Sequence, residues 1–248
     1  MKKLSIILIT IAFSLPLILK AQEDADFKPF SFGLKAVPSV SFIKPESKDF
    51  KNASASVNFG YGLMAEFNFA PNYGLLTGIE INDNSGNIDY LTNSSVYYFP
   101  EEDTNRFYLT SRKYAVKYLN IPFLLKLKTN EIGVLKYYGQ FGVDAGFRLK
   151  ARAKDEGAYR NTSPSTKTDV IVDDDINLIR LALNVGAGVE WNLSGSTSLV
   201  IGMNYNNGFT NFLKKESKYL YLDKVTESVR LSQNAYNSYV ALTVGILF

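Results

Sequence analysis

Two carboxylates, Glu66 and Glu80, are spaced so that they could support acid and base chemistry. Both are predicted to lie on one face of a single β-hairpin, and a pair of facing carboxylates is the usual machinery of glycoside hydrolysis. The same side chains could instead form ion pairs with Lys35 or Lys126, because a charge that is removed from water is normally partnered. On that rule we favour the ion pairs.

Missing residue types exclude most other catalytic sites. The 248 residues include no His and no Cys, which removes His-based triads, the commonest metal ligand, disulfides and thiolate metal sites. The segment Gly186-Ala187-Gly188 lacks the third glycine and the following helix of a dinucleotide-binding fingerprint. Four loop acids lack the spacing of an EF-hand and are interpreted as solvated charge: Asp169, Asp173, Asp174 and Asp175. We therefore predict no catalytic residue, no cofactor and no metal site.

The strands that position these side chains are recognised by alternating apolar and polar residues. In the last segment, Val240, Leu242 and Val244 alternate with Ala241 and Thr243. Eight segments share this pattern: residues 30–37, 59–69, 75–82, 114–128, 137–150, 179–191, 199–206 and 238–248. Their connections alternate between long and short, which is typical of a membrane barrel. The sequence predicts an all-β fold, an eight-stranded antiparallel up-and-down transmembrane β-barrel with short periplasmic turns and long extracellular loops.

Charged residues on the polar face of these strands are balanced. Four cations accompany four anions: Lys35, Lys126, Arg148 and Arg180 with Glu66, Glu80, Asp144 and Glu190. Inside a barrel they would form a buried charge network, in which breaking one pair costs on the order of 3 to 5 kcal/mol. Eight strands leave an interior just wide enough for side chains, so we expect a filled lumen. The alternative is a soluble lipocalin-like barrel, with apolar residues inside and charges outside.

The amino terminus has the layout of an export signal. Lys2 and Lys3 precede an apolar run at residues 4–19 and the segment Lys20-Ala21-Gln22. We predict a cleaved signal peptide at residues 1–21, a flexible lead-in at 22–29 and the barrel domain at 30–248. Removing the three lysines of the signal peptide leaves 27 − 3 = 24 basic residues against 24 acidic ones, so the charge gives no reason to expect nucleic acid as a partner.

The carboxyl-terminal residue, Phe248, ends an apolar strand face. An aromatic end of this kind is typical of the assembly signal that the bacterial barrel assembly machinery reads. Together with the signal peptide, it predicts a location in the outer membrane of a Gram-negative-type envelope, with the lipid bilayer and that machinery as partners.

Four segments carry a resemblance to a known family. Residues 118–126, YLNIPFLLK, resemble the YLEIPLLLK signature of the PorT-like outer-membrane barrels, and residues 138–142, 185–190 and 205–211 are also similar. The usual Glu of the signature is Asn120 here, a departure at a position that the resemblance associates with an interior ion pair. The resemblance implies an eight-stranded barrel of mostly uncharacterised function, and a few such relatives serve type IX secretion.

Tyr97, Tyr98 and Phe99 are the candidate loop contact. They could bind a secretion-system or surface partner, or they could belong to the outer aromatic girdle. Our first hypothesis is therefore a non-enzymatic structural or interaction protein that acts through its extracellular loops. A narrow transport pore is the second hypothesis. An outer-membrane lipid-modifying enzyme is the third, and the missing His argues against it.

Overall fold

The computed structural model of the protein describes residues 27–46, 50–90, 96–98, 106–160, 162–223 and 228–248. These residues form thirteen strands in one sheet, and every pairing is antiparallel. The strands are β1 (Phe30–Pro45), β2 (Phe50–Asn52), β3 (Ser56–Ala70), β4 (Tyr73–Tyr90), β5 (Val96–Tyr98), β6 (Phe107–Lys128), β7 (Leu135–Tyr159), β8 (Ser165–Ile171), β9 (Ile179–Ser194), β10 (Thr197–Gly208), β11 (Glu216–Asp223), β12 (Ser228–Ser232) and β13 (Ala235–Leu247). The all-β, antiparallel prediction is confirmed. No helix within these ranges is long and apolar enough to cross a membrane.

Eight of the strands correspond to the eight predicted segments, and each of them pairs with two others of the eight. The order β1, β3, β4, β6, β7, β9, β10, β13 is continuous, and β13 pairs again with β1. When the short strands are left out, strands that pair in this circuit also follow one another along the chain. This is the order of an up-and-down sheet. None of the eight therefore has a free edge along its central length.

The predicted long loops were wrong in one respect, because much of their length is strand. The five short strands β2, β5, β8, β11 and β12 all lie in segments that the sequence assigns to loops. In addition, β4 continues to Tyr90 and β7 to Tyr159, beyond the predicted ends at Asn82 and Lys150. These extensions carry polar residues on their outer face, so the apolar alternation that marks the central strands is absent from them.

The sheet has two ends of different character. At the short-turn end, two residues join β3 to β4 and two join β9 to β10, and residues 129–134 join β6 to β7. Both termini of the circuit lie here as well, because Phe248 exchanges backbone hydrogen bonds with Phe32. At the extended end, the long strands continue and the five short strands pair onto them.

Burial in the central part of the sheet is the inverse of that in a soluble protein. Apolar side chains such as Leu63 and Met203 are 56% and 63% exposed, whereas Glu66 and Lys126 are 0% and 2% exposed. The lipocalin-like alternative requires the opposite arrangement, so the structure disfavours it. We call the zone of exposed apolar side chains the apolar band.

The extended end has a conventional apolar core. Ile43, Tyr90, Phe107, Tyr114 and Phe212 are buried together on the inner side of the extended strands. One chain thus encloses charged side chains along the apolar band and apolar side chains beyond it. This core closes the interior at the extended end within the residues that the structure describes.

A β-bulge separates the two regions on β6 and β7. The pairing shifts between Lys117, which faces Lys150, and Tyr118, which faces Arg148. A bulge re-aims the side chains that follow it. As a result Leu149 and Lys150 are both exposed, while Ala151 beyond them is fully buried.

Candidate functional site

The interior of the apolar band holds a network of charged side chains, and Lys126 is at its centre. Its ammonium group on β6 lies 2.8 Å from a carboxylate oxygen of Glu66 on β3 and also contacts Glu190 on β9. These three strands are not adjacent, so the ion pairs run across the interior. The ammonium group also lies 4.4 Å from the ring centre of Tyr138, an added cation–π contact.

Lys128 is a member of this network that is not among the eight predicted charges. Its ammonium group contacts Glu66 directly and lies 4.0 Å from Glu190. The signal that could have found it is its spacing, because residues two apart on a strand share a face, and Lys126 had already been placed on the inner one.

Lys35 and Glu80 form a second interior pair, with 2.6 Å between ammonium and carboxylate. Lys35 on β1 and Glu80 on β4 both lie opposite Gly62 of the intervening strand β3. Because Gly62 has no side chain, the two long side chains meet over it. A Cβ atom built there would be 2.2 Å from the carbonyl oxygen of Ile79.

Asp144 and Arg180 are linked through amides rather than directly. Asp144 accepts a hydrogen bond from Asn184 at 2.8 Å and another from Asn206. Arg180 in turn donates to the side-chain oxygen of Asn206 at 2.5 Å and to the carbonyl oxygen of Asn237 at 2.9 Å. Asn206 therefore joins an acid and a base that have no direct contact.

Arg148 is the predicted network residue that the structure places apart from the others. Its guanidinium group lies 2.7 Å from Asp173, at the base of the extended end. The eight predicted charges thus divide into the Lys126 cluster, the Lys35–Glu80 pair, the Asp144–Arg180 group and this separate Arg148 contact.

A fully buried Arg112–Asp155 pair in the extended end was missed by the sequence analysis. Two hydrogen bonds of 2.6 and 2.7 Å join the guanidinium and carboxylate groups side by side. Burial alone would lower the pKa of Arg112, but the Asp155 carboxylate more than offsets this and the pKa is raised. Arg112 is two residues from Tyr114 on β6, and this spacing could have placed both on the inner face of the sheet. Arg112 lay instead inside a predicted loop.

The four loop acids are each engaged by cations or donors. Asp169 and Asp173 contact Arg152, and Asp174 contacts Lys218 at 2.9 Å. Asp175 accepts hydrogen bonds from Ser217 and from the backbone N–H of Lys218. In the part of the chain that the structure describes, no group of three acidic side chains could hold a metal ion.

The candidate loop contact is only partly displayed. Tyr97 is 3% exposed and stacks on Tyr221, with ring centres 5.6 Å apart. Tyr98 is half-buried beside Tyr219, and Phe99 lies outside the described residues. β5 pairs with β6 on one side and with β11 on the other. The ring of Tyr97 packs within this part of the sheet and thus stabilises the extended end.

Phe248 lies at the short-turn end with its ring exposed on the outer face. The ring centre is 5.7 Å from that of Phe32, in a tilted arrangement. Its side chain is therefore held by one aromatic neighbour, and its backbone is part of the β1–β13 pairing.

Space inside the sheet is scarce. The interior cavity among Lys35, Glu80, Asn120, Lys126 and Asp144 has a volume of about 30 Å³. Such a cavity accommodates about two water molecules. A wider recess of about 480 Å³ opens at the short-turn end, beside Lys128 and Glu190.

Comparison with known proteins identifies the family of the chain. The sequence profile of the outer membrane protein beta-barrel domain matches residues 20–214, and the chain belongs to this family. It is an outer-membrane β-barrel protein and resides in the outer membrane. No curated protein matches the chain.

Three solved structures are similar to this chain at low sequence identity. The chain shares 12% identity with OprG from Pseudomonas aeruginosa, over 88% of this chain and 95% of that one, with a TM-score of 0.45. For Neisserial surface protein A the values are 11% identity, 89% and 96% coverage and a TM-score of 0.40. For Ail, the attachment invasion locus protein of Yersinia pestis, the identity is 14%, the coverage is 89% of this chain and 100% of that one, and the TM-score is 0.37.

Proposed function

We propose that the protein is an integral outer-membrane barrel of eight strands with a side-chain-filled lumen, which acts without catalysis as a structural or interaction protein. The observation that carries this proposal is the inverted burial of the central strands. Exposed apolar side chains suit contact with lipid, and interior charges are paired with one another. The closed circuit of eight paired strands supports the barrel, because a closed sheet leaves no unpaired edge in lipid.

The filled lumen is supported by the cross-interior ion pairs and by the small remaining cavity. Lys126 and Lys128 between Glu66 and Glu190 fill the interior toward the short-turn end, and an apolar core occupies the extended end. A conducting pore would need a continuous water-filled path between these groups. We therefore rank the narrow transport pore below the interaction protein.

The enzyme hypothesis is weakened by the partners of its candidate residues. Glu66 contacts Lys126 and Lys128, and Glu80 contacts Lys35, which supports a role in ion pairing over a role as general acid or base. OprG and the other neighbours above contribute nothing to this argument, because their similarity is too low.

The extended end is the surface that we assign to interaction. In the proposed orientation it is extracellular, and the short-turn end with Phe248 faces the periplasm, where Phe248 acts as the assembly signal. The PorT-like assignment rests on residues 118–126, and a role beside type IX secretion follows from that resemblance. The signal peptide at residues 1–21 and the lead-in at 22–29 belong to the same proposal, and residues 1–26 lie outside the described ranges.

Purified protein reconstituted in planar bilayers tests the central claim. We expect heat-dependent migration in SDS gels, stable insertion and no single-channel steps. Steady conductance steps would contradict the filled lumen, and a protein that stays in solution without detergent would contradict the barrel. For the secretion role, loss of the gene should impair export of type IX cargo and leave other outer-membrane proteins in place; unaffected export would remove that role.

A further inference from the structure

A shallow groove of about 620 Å³ lies on the outer wall, where the apolar band meets the extended end. It crosses the sheet from β3 through β4 and β6 to β7. Val57 and Phe59 border it on one side and Lys117 and Lys150 on the other. Asp83 and Ser85 of β4 lie between the two borders. The groove therefore has an apolar border and a cationic border, and the short side chains between them include the carboxylate of Asp83.

The cationic border places like charges side by side. Lys117 lies directly opposite Lys150 across the β6–β7 pairing, and Lys113 lies opposite Lys154. Like charges in directly opposed positions of a sheet destabilise it. The bulge at Lys117 produces this arrangement, because it turns Lys150 outward. An anion from outside the chain would relieve the repulsion.

The nearby acids do not fully supply that anion. Asp83 lies 3.5 Å from Lys117, and both side chains are more than two fifths exposed, so this surface pair is weak. Asp169 and Asp173 are engaged by Arg152, and Glu156 by Lys154. Among the described residues, Lys150 has no ion-pair partner.

The apolar border is unusually open. Val57 is 84% exposed and Phe59 is 53% exposed, and both continue the apolar band upward. A ligand in this groove would therefore meet lysine ammonium groups and hydrocarbon contacts within one recess. Membrane lipids with an anionic headgroup have this combination of chemistry.

We infer that the groove binds a membrane lipid with a phosphate-bearing anionic headgroup. The phosphate lies between Lys117 and Lys150, and an acyl chain runs along Val57 and Phe59 into the apolar band. This inference rests on the proposed insertion of the barrel, which puts the groove at the boundary between acyl chains and headgroups. Each lysine near such a surface contributes roughly fivefold to the affinity for anionic lipid.

Tryptophan quenching by brominated lipids tests the site. Trp191 is the single Trp of the chain and lies on β9 near the short-turn end. A Trp191→Phe, Phe59→Trp variant moves the fluorophore into the groove. In mixed bilayers, brominated phosphatidylglycerol should quench this variant with at least about fivefold higher relative affinity than brominated phosphatidylcholine.

Adding Lys117→Gln and Lys150→Gln should bring this ratio to about one. Adding Lys136→Gln instead, which removes a cation at the opposite end of β7, should leave it unchanged. The unmodified chain, in which Trp191 reports, should show a ratio near one throughout. Equal quenching by both lipids at the groove would overturn the inference while insertion stands. Absence of quenching at both positions would overturn the insertion itself.

Discussion

The ammonium group of Lys126 lies 2.8 Å from the carboxylate of Glu66, although β4 separates their two strands in the sheet. The contact is possible because both side chains point into the same narrow interior. Lys126 is also bound to Glu190 on the opposite side, so one cation ties three strands together. Together with Lys128, which contacts the same two carboxylates, this side chain couples the packing of the interior to strands on different sides of the sheet.

Replacing Lys126 by Met should destabilise the barrel by up to about 3 to 5 kcal/mol, because Glu190 loses its nearest cation and Glu66 keeps only Lys128. Urea unfolding in lipid vesicles, followed by the fluorescence of Trp191, measures the change. Lys136→Met is the matched control, since Lys136 lies 3.6 Å from Glu131 in an exposed pair. That control should cost less than about 1 kcal/mol. Equal stabilities of the two variants would contradict the network.

Replacing Arg112 by Met should loosen the extended end and leave the central strands intact. The change strands the buried Asp155 carboxylate, with a local cost of about 3 to 5 kcal/mol. Hydrogen exchange should rise in β7 beyond the bulge and in β8, while β9 and β10 keep their protection. Lys154→Met, at an exposed position on β7 next to Asp155, is the control. Uniform loss of protection across the sheet would show that the two regions are not separable.

Gly62→Val should reduce the yield of folded protein. The added side chain would fill the space in which Lys35 and Glu80 meet, and its Cβ would press on the backbone of Ile79 and Glu80. Overpacking of this kind costs about 1 to 3 kcal/mol. Gly139→Val is the comparison, because a Cβ there meets nothing within 4 Å. Refolding into detergent, scored by heat-dependent gel migration, distinguishes them, and similar yields would refute the steric account.

Deleting Phe248 should lower assembly in cells more than refolding in detergent. Phe32→Ala removes the same ring contact and keeps the aromatic carboxyl terminus. If Phe248 is an assembly signal, only the deletion should reduce the amount of protein in the outer membrane. A similar loss in both variants would mean that ring packing, and not recognition, is what Phe248 provides.

The central strands could be predicted from sequence because one face of each is apolar apart from single positions such as Lys117. The inward orientation of Lys126 and Glu66 follows from the alternation of side chains along a strand. Their partners do not, since a contact across a closed sheet depends on the stagger between strands that are far apart in sequence. For the same reason, the role of Asn206 between Asp144 and Arg180 could not be predicted.

The extended end could not be predicted because its strands are polar outside. Arg112 and Asp155 are separated by 43 residues and lie in segments that resemble loops. Their burial comes from an apolar core that assembles only when the short strands pair onto the long ones. The bulge that turns Lys150 outward is likewise a property of the paired strands and has no signature in β7 alone.

The length of β7 sets how far the protein reaches. About ten of its residues lie beyond the bulge, up to Tyr159. In the proposed orientation, at about 3.3 Å per residue and a tilt near 45°, they rise roughly 20 Å above the bilayer surface. The extended end therefore projects beyond short sugar headgroups on neighbouring lipids. A large molecule that approaches this side contacts the protein before it reaches the membrane.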